Sequence, residues 1–189
     1  MIGATILAAE ACLRVGVGSV KIICTKETIP ILSRKFPSVL KIEINNLSFL
    51  KSFLKKERQT THVALVGPGA GKNSKTMKFT EEILKQIKYV IIDADSLNSF
   101  QKKTKKLLKY LDKNKIITPH QAEFHRLFPL IKRNLNNKEK VLSFLKLCKS
   151  NILLKGNTTL IGSTEKIVLN THAPSELAVI GSGDVWLEL

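Results

Sequence analysis

The sequence has little of what marks secreted, disulfide-stabilised or membrane-embedded proteins. Its three cysteines are an odd number and show no CxxC spacing, which suits a reducing compartment. No uncharged run approaches the roughly 18 residues needed to span a bilayer. The N-terminus lacks the basic segment of a signal peptide, and Glu10 and Arg14 interrupt its apolar run. The sequence therefore predicts a cytoplasmic protein without a membrane partner.

Acidic and aromatic residues are also scarce. Asp and Glu total 15 against 31 Lys and Arg, a formal net charge of +16, which favours anionic partners. The lysine-rich segment 102–115 carries Leu107, Leu108 and Leu111, so it predicts an amphipathic helix with a basic outer face. No aromatic residues alternate with these lysines to stack bases, and a nucleic-acid partner is therefore not expected.

Short apolar strands alternate with helices along the whole chain. Strands are expected at 19–24, 39–44, 62–67, 89–95, 115–120, 151–156, 158–162 and 166–170. Helices are expected at 3–16, 27–36, 74–88, 102–115, 121–128 and 137–149. This alternation predicts an α/β fold with a largely parallel sheet covered by helices on both faces. No linker or repeat divides the chain, so residues 1–189 are expected to form one domain.

Two glycine-rich turns are candidate anion sites. In "VGPGAGKNS" the glycines follow a strand and precede a helix, where backbone N–H groups can approach an anion. The spacing is not that of a Walker A loop, and an ordinary tight turn remains the alternative. The stronger motif is "GSGD", residues 181–184, whose free N–H groups would form an anion hole, with an ordinary loop as the alternative. Asp184 beside it could accept a proton from a hydroxyl during phosphoryl transfer.

Polar residues at other strand ends are further candidates, because ligands of such sheets bind beyond the carboxyl ends of the strands. Asp93 could contact a substrate hydroxyl or a metal-bound water, whereas Asp95 could simply cap a helix. In "TPHQAEF", Thr118 could cap the next helix, and His120 and Glu123 lie one turn apart at its start. Both a structural and a functional role remain open for His120.

A third candidate is the "LLKGNTT" segment, where a lysine and a glycine end one strand and a turn leads into the next. The turn suggests a loop that holds phosphate. A solvated surface lysine is the alternative for Lys155, given the many lysines of this chain.

In order, the motifs "GATILAAEACLRVGVGSV", "GPGAG", "DADSLN", "TPHQAEF", "LLKGNTT" and "GSGDV" resemble the ADP- or ATP-dependent NAD(P)H-hydrate dehydratases of the ribokinase-like superfamily. The resemblance extends over residues 2–185 and implies a three-layer, ribokinase-like α/β fold. It implies a repair enzyme that phosphorylates the ring hydroxyl of hydrated NADH or NADPH with ADP or ATP. Loss of phosphate would restore the cofactor. Mg²⁺ is expected with the nucleotide.

The resemblance also implies roles for individual residues. Asp184 would be the general base on the substrate hydroxyl. The hydrated dinucleotide would be bound by Ala4, Gly69, Gly71, His120 and Asp184. The adenine nucleotide would be bound by Lys155, Gly156, Asn157, Thr158, Thr159 and Gly183. Asp93, Asn98 and Glu123 are further candidate site residues, and no metal ligand is assigned.

Departures from the family pattern leave alternatives open. Relative to the family, the chain is expected to lack a strand and a glycine-containing loop before Met1. The helix after Asp184 would retain only "VWLEL". A homo-oligomer or a complementing chain is therefore among the expected partners. A ribokinase-like small-molecule kinase, an inactive remnant and a non-catalytic basic nucleotide-binding protein remain alternative functions. Nothing in the chain resembles an epimerase domain.

Overall fold

The computed structural model describes residues 2–170, so the "GSGD" turn with Gly183 and Asp184 lies outside the described residues. The strands are β1 (Lys21–Cys24), β2 (Leu40–Glu43), β3 (Val63–Val66), β4 (Tyr89–Ile92), β5 (Lys115–Ile117), β6 (Asn151–Leu154), β7 (Thr159–Gly162) and β8 (Ile167–Asn170). The helices are α1 (Ile2–Arg14), α2 (Ile29–Lys35), α3 (Leu47–Glu57), α4 (Ser74–Gln86), α5 (Ala94–Ser99), α6 (Thr104–Leu108), α7 (Gln121–Leu127) and α8 (Asn137–Leu147). No described helix is long and apolar enough to cross a membrane.

The strands form two sheets. Strands β1 and β2 make a parallel pair, and the remaining six strands lie side by side in chain order from β3 to β8. Pairing is parallel from β3 to β6 and antiparallel from β6 to β8. The parallel strands follow from helical crossovers, since parallel neighbours need a long connection. The predicted α/β fold with a largely parallel sheet is confirmed.

The main hydrophobic core lies on one face of the six-stranded sheet. Register places Ile92, Ile117 and Ile152 side by side on this face. All three are fully buried, as are Phe100 and Phe124 from the covering helices. The alternating side chains on the opposite face are half-buried or exposed, among them Ile91, Ile116, Leu153 and Ile161. A second, smaller core joins the β1–β2 pair to helices α1 and α2.

Two local expectations are corrected by the structure. Helix α3 was not predicted, although Asn46 caps it by accepting a hydrogen bond from the Phe49 N–H at 2.8 Å. The predicted basic helix at 102–115 is much shorter, because α6 has only 5 residues. The chain leaves the helix and turns at Asp112, whose side chain accepts from the Asn114 N–H at 2.7 Å. This turn competes with helix continuation and leads into β5.

Candidate active site at the carboxyl edge of the sheet

The glycine-rich turn after β3 has a backbone that only glycine adopts readily. Gly67, Gly69 and Gly71 have φ of +130°, +71° and +78°. A Cβ on Gly67 would lie 1.9 Å from the Asp93 carbonyl oxygen, so the turn approaches the start of α5 more closely than any side chain allows. The first glycine is therefore required by packing, whereas the later two shape the turn itself.

Side chains from two other elements hold this turn in place. The Gly71 N–H donates to Asp95 Oδ2 at 2.8 Å, and Thr5 Oγ1 of α1 donates to the Pro68 carbonyl at 3.3 Å. Ala4 therefore lies in the helical turn next to the segment that contains Gly69. Asp95 is inside α5 and is not its N-cap, which is Asp93. The alternative prediction, that Asp95 caps a helix, was wrong.

Asp93 forms a buried ion pair at the end of β4. Lys155 Nζ lies 2.8 Å from Asp93 Oδ1, with the side chains 22% and 3% exposed respectively. Thr118 Oγ1 donates to the same oxygen at 2.8 Å. A carboxylate removed from water needs such partners, because an unpaired buried charge is costly. Asp93 and Lys155 are 62 residues apart, so the fold brings two separately predicted site residues into contact.

His120 caps α7 rather than standing free at its start. Its Nδ1 accepts from the N–H groups of Ala122 at 3.1 Å and Glu123 at 3.4 Å. Glu123 completes a capping box by accepting from the His120 N–H at 3.0 Å. The helix therefore begins after His120, and the prediction that Thr118 caps it was wrong. The ring of His120 is nonetheless 52% exposed and remains accessible to a ligand.

Asn98 and Glu123, two other predicted site residues, join the helices at the carboxyl edge of the sheet. Glu123 is buried and its Oε1 accepts from Asn98 Nδ2 at 2.9 Å. This bond joins α5 to α7, the two helices that follow β4 and β5. The Asn98 side chain also accepts from Gln101 and Arg126 through its Oδ1. Within the described part of the chain, Asn98 and Glu123 thus hold the strand-end helices together.

The turn between β6 and β7 lies beside the start of α7. The Lys155 N–H donates to the Pro119 carbonyl at 2.9 Å, which fixes the end of β6 against the start of α7. Thr159 Oγ1 donates to the Gly156 carbonyl at 3.5 Å across the turn. An open groove of about 540 Å³ runs along it, lined by Gly156, Asn157 and Thr158 together with Gln121, His125, Asn137 and Lys140.

Sequence reasoning did not select the groove residues that come from α7 and α8. The sequence motifs did not point to His125, Gln121, Asn137 or Lys140. A local signal did exist, since Gln121 and Asn137 are the first residues of their helices. The contact between the two helix starts is a tertiary feature that no local pattern contains.

The described residues offer no dedicated metal cage. No group of three His, Cys, Asp or Glu residues among them could hold a metal ion. Asp93 is paired with Lys155, and both oxygens of Glu123 accept hydrogen bonds from the protein. A Mg²⁺ ion at this edge would therefore depend on nucleotide phosphates and water for most of its ligands, as Mg²⁺ commonly does.

Comparison with solved structures places the mostly parallel sheet and its helices among the ribokinase-like α/β folds. The structure resembles a ribokinase-like superfamily protein of Enterococcus faecalis, with a TM-score of 0.81 and 26% identity over 97% of this chain and 63% of that one. It also resembles the Bacillus subtilis ADP/ATP-dependent NAD(P)H-hydrate dehydratase co-crystallised with ATP and Mg²⁺. That TM-score is 0.71, with 23% identity over 97% of this chain and 64% of that one.

Sequence comparison identifies the family. The Carb_kinase model, described as NAD(P)H-hydrate dehydratase, matches residues 1–186, and the chain belongs to this family. The ADP-dependent (S)-NAD(P)H-hydrate dehydratase of Neisseria meningitidis is 31% identical over 193 aligned positions, covering 98% of this chain. The chain spans 62% of the length of that relative.

Proposed function

We propose that this protein dehydrates hydrated NADH or NADPH in a nucleotide-dependent reaction. ATP or ADP would transfer its terminal phosphoryl group to the ring hydroxyl, which loses its proton. The C–O bond would then break while the neighbouring ring carbon loses a proton, which releases inorganic phosphate and restores the ring double bond. In the net reaction the substrate loses water, and one phosphoanhydride bond of the nucleotide is hydrolysed.

The observation that carries this proposal is the grouping of predicted site residues at one edge of the sheet. The turn with Gly69 and Gly71 is hydrogen-bonded to α1 near Ala4 and to α5. Asp93, at the start of α5, pairs with Lys155, and the backbone of Lys155 is bonded next to His120. Residues proposed for the dinucleotide and for the adenine nucleotide thus lie on adjoining turns, as transfer between two bound ligands requires.

Within this proposal each group has a distinct task. The glycine turn and the His120 ring would bind the hydrated dinucleotide. Residues 155–159 and Gly183 would bind the adenine nucleotide. Asp184, outside the described residues, would accept the hydroxyl proton, and neighbouring amides would stabilise charge on the transferred group. Mg²⁺, bound mainly to the nucleotide phosphates, would neutralise their charge.

The test is recovery of absorbance at 340 nm from hydrated NADH with Mg²⁺ and either ADP or ATP. We expect recovery that requires nucleotide and releases one phosphate per molecule restored. Asp184→Asn should lower the rate by at least about 100-fold, because it removes the general base. The matched control is Asp112→Asn, an exposed aspartate in the turn before β5, which should leave the rate unchanged.

Other outcomes would identify the alternatives. Nucleotide consumption that leaves phosphate on an organic product would contradict the dehydratase proposal and indicate a small-molecule kinase. Folded protein that binds ADP without restoring absorbance would indicate a non-catalytic nucleotide-binding protein. A homo-oligomer or a complementing chain would be detected by light scattering and by activity that depends on protein concentration.

A further inference from the structure

The groove along the β6–β7 turn contains a buried lysine that has no counter-ion within the described part of the chain. Lys140, in the first turns of α8, is 7% exposed and lines the groove. Its Nζ donates to Gln121 Oε1 at 3.3 Å, a long hydrogen bond. No carboxylate of the described residues lies within 4.0 Å of this ammonium, whereas Lys155 and Lys106 have such partners.

Such an arrangement is unfavourable for the empty protein. An ammonium withdrawn from water loses hydration that one neutral acceptor does not replace. Two of its three donors have no protein acceptor among the described residues. An anion in the groove would supply both the missing negative charge and the missing acceptors, and charge-assisted hydrogen bonds are the stronger kind.

The surroundings of Lys140 are also positive. The pKa of the neighbouring His125 is lowered by burial and by the positive charges of Lys140 and Arg133. His125 Nδ1 is buried and has no hydrogen-bond partner within residues 2–170. The groove therefore has a second polar group without a partner, and the charges around it are of one sign.

The network around Lys140 fixes its position. Gln121 Nε2 donates to Asn137 Oδ1 at 3.0 Å, so Gln121 joins the start of α8 to Lys140 through its two ends. Gly156 lies against the same network, because a Cβ there would be 3.6 Å from Gln121 Nε2 and 3.8 Å from Asn137 Nδ2. The ammonium is thus held beside a turn that is already proposed to hold nucleotide.

We propose that Lys140 is a phosphate-binding residue of this groove and that its ligand is a nucleoside phosphate. The inference rests on the proposed function, since it extends the nucleotide site from residues 155–159 to α8. Gln121 and Asn137 act as positioning residues that orient the ammonium. The ligand's base or sugar supplies a partner for His125 Nδ1.

The experiment measures binding of ADP, pyrophosphate and adenosine by calorimetry, without any hydrated dinucleotide. Lys140→Gln should lower the affinity for ADP and for pyrophosphate by at least about tenfold, as expected for loss of a charge-assisted contact. Adenosine should bind as it does to wild type. Lys146→Gln is the matched control, since it removes an exposed lysine from the same helix. Lys140→Arg should retain most of the ADP affinity.

A stability measurement separates binding from a structural role. Because the buried ammonium has no carboxylate partner among the described residues, Lys140→Gln should leave the melting temperature of the ligand-free protein unchanged or higher. Unchanged ADP affinity, or a fall in melting temperature that accounts for the affinity loss, would overturn the inference. An equal loss of affinity for adenosine and for ADP would also overturn the inference. Loss of ADP binding in Lys140→Gln with no dehydratase activity in wild type would overturn only the proposed function.

Discussion

At the residue scale, Gly67 leaves the least space for a side chain at the site. Gly67→Ala would place a methyl group 1.9 Å from the Asp93 carbonyl oxygen at a φ of +130°. We expect a loss of more than about 3 kcal/mol in the free energy of unfolding, because the obstructing oxygen belongs to the backbone and cannot rotate away. Urea unfolding would measure it. The control Gly18→Ala meets nothing within 4 Å and should change stability by less than about 0.5 kcal/mol.

The Asp93–Lys155 pair predicts an asymmetry between its two partners. Lys155→Met should destabilise the fold by about 3 kcal/mol, because it leaves a buried carboxylate with Thr118 as its remaining side-chain partner. Asp93→Asn should destabilise the fold less than Lys155→Met does, because the Lys155 side chain is partly exposed and its ammonium can regain water. In the Asp93→Asn background, Lys155→Met should have little further effect. Additive losses in this cycle would contradict a direct pair, and exposed Lys166→Met serves as control.

His125 gives stability a dependence on pH. Burial and the charges of Lys140 and Arg133 lower its pKa below 6.5 in the folded state, so the unfolded chain binds the proton first. Its contribution is therefore fully present above the unfolded pKa of about 6.5, and it is lost as the pH falls from there through the lower pKa of the folded state. His125→Gln should flatten melting temperature against pH between 7 and 5. The exposed His62→Gln is the control, and an identical profile for both variants would count against this assignment.

At the element scale, α7 depends on a histidine cap. His120→Ala should cost about 1 kcal/mol of stability by leaving two N–H groups without acceptors. His120→Asn should recover most of that loss, because asparagine is a strong N-cap residue. If the ring also contacts the dinucleotide, His120→Asn would keep stability yet raise KM for the hydrate. Equal stability of the Ala and Asn variants would show that the cap contributes nothing, and Asn136→Ala at the other capping box gives the reference loss.

The elements also show where local pattern was sufficient. Strands β3 to β8 lie within their expected ranges, because β-branched runs bounded by turn residues carry their own signal. Helix α3 was missed although Asn46, Leu50 and Leu54 give a cap and an apolar stripe. Leu47 and Phe53 of this helix also pack against the main core, so its stability comes mainly from tertiary contacts, including those with α4. The basic helix was overextended because the lysine pattern says nothing about the turn at Asp112.

At the scale of the whole molecule, the net charge of +16 should make stability depend on salt. Raising NaCl from 20 to 300 mM should raise the melting temperature, because screening weakens repulsion among lysines. A double variant, Lys105→Glu with Lys109→Glu, should show a shallower rise, since it removes repulsion at two exposed positions. A melting temperature that falls with salt would mean that ion pairs, such as those of Glu57 and Glu81, outweigh the repulsion.

The sequence by itself determined the order of strands and helices, the glycine-rich turn and the polar residues at strand ends. These are local properties, set by backbone preference and by the spacing of apolar residues. Only the tertiary structure decided which of those residues meet. It paired Lys155 with Asp93, made His120 a cap, and buried Lys140 with no acid partner among residues 2–170. Contacts between residues far apart in the chain depend on how helices pack on the sheet, and that packing has no local signature.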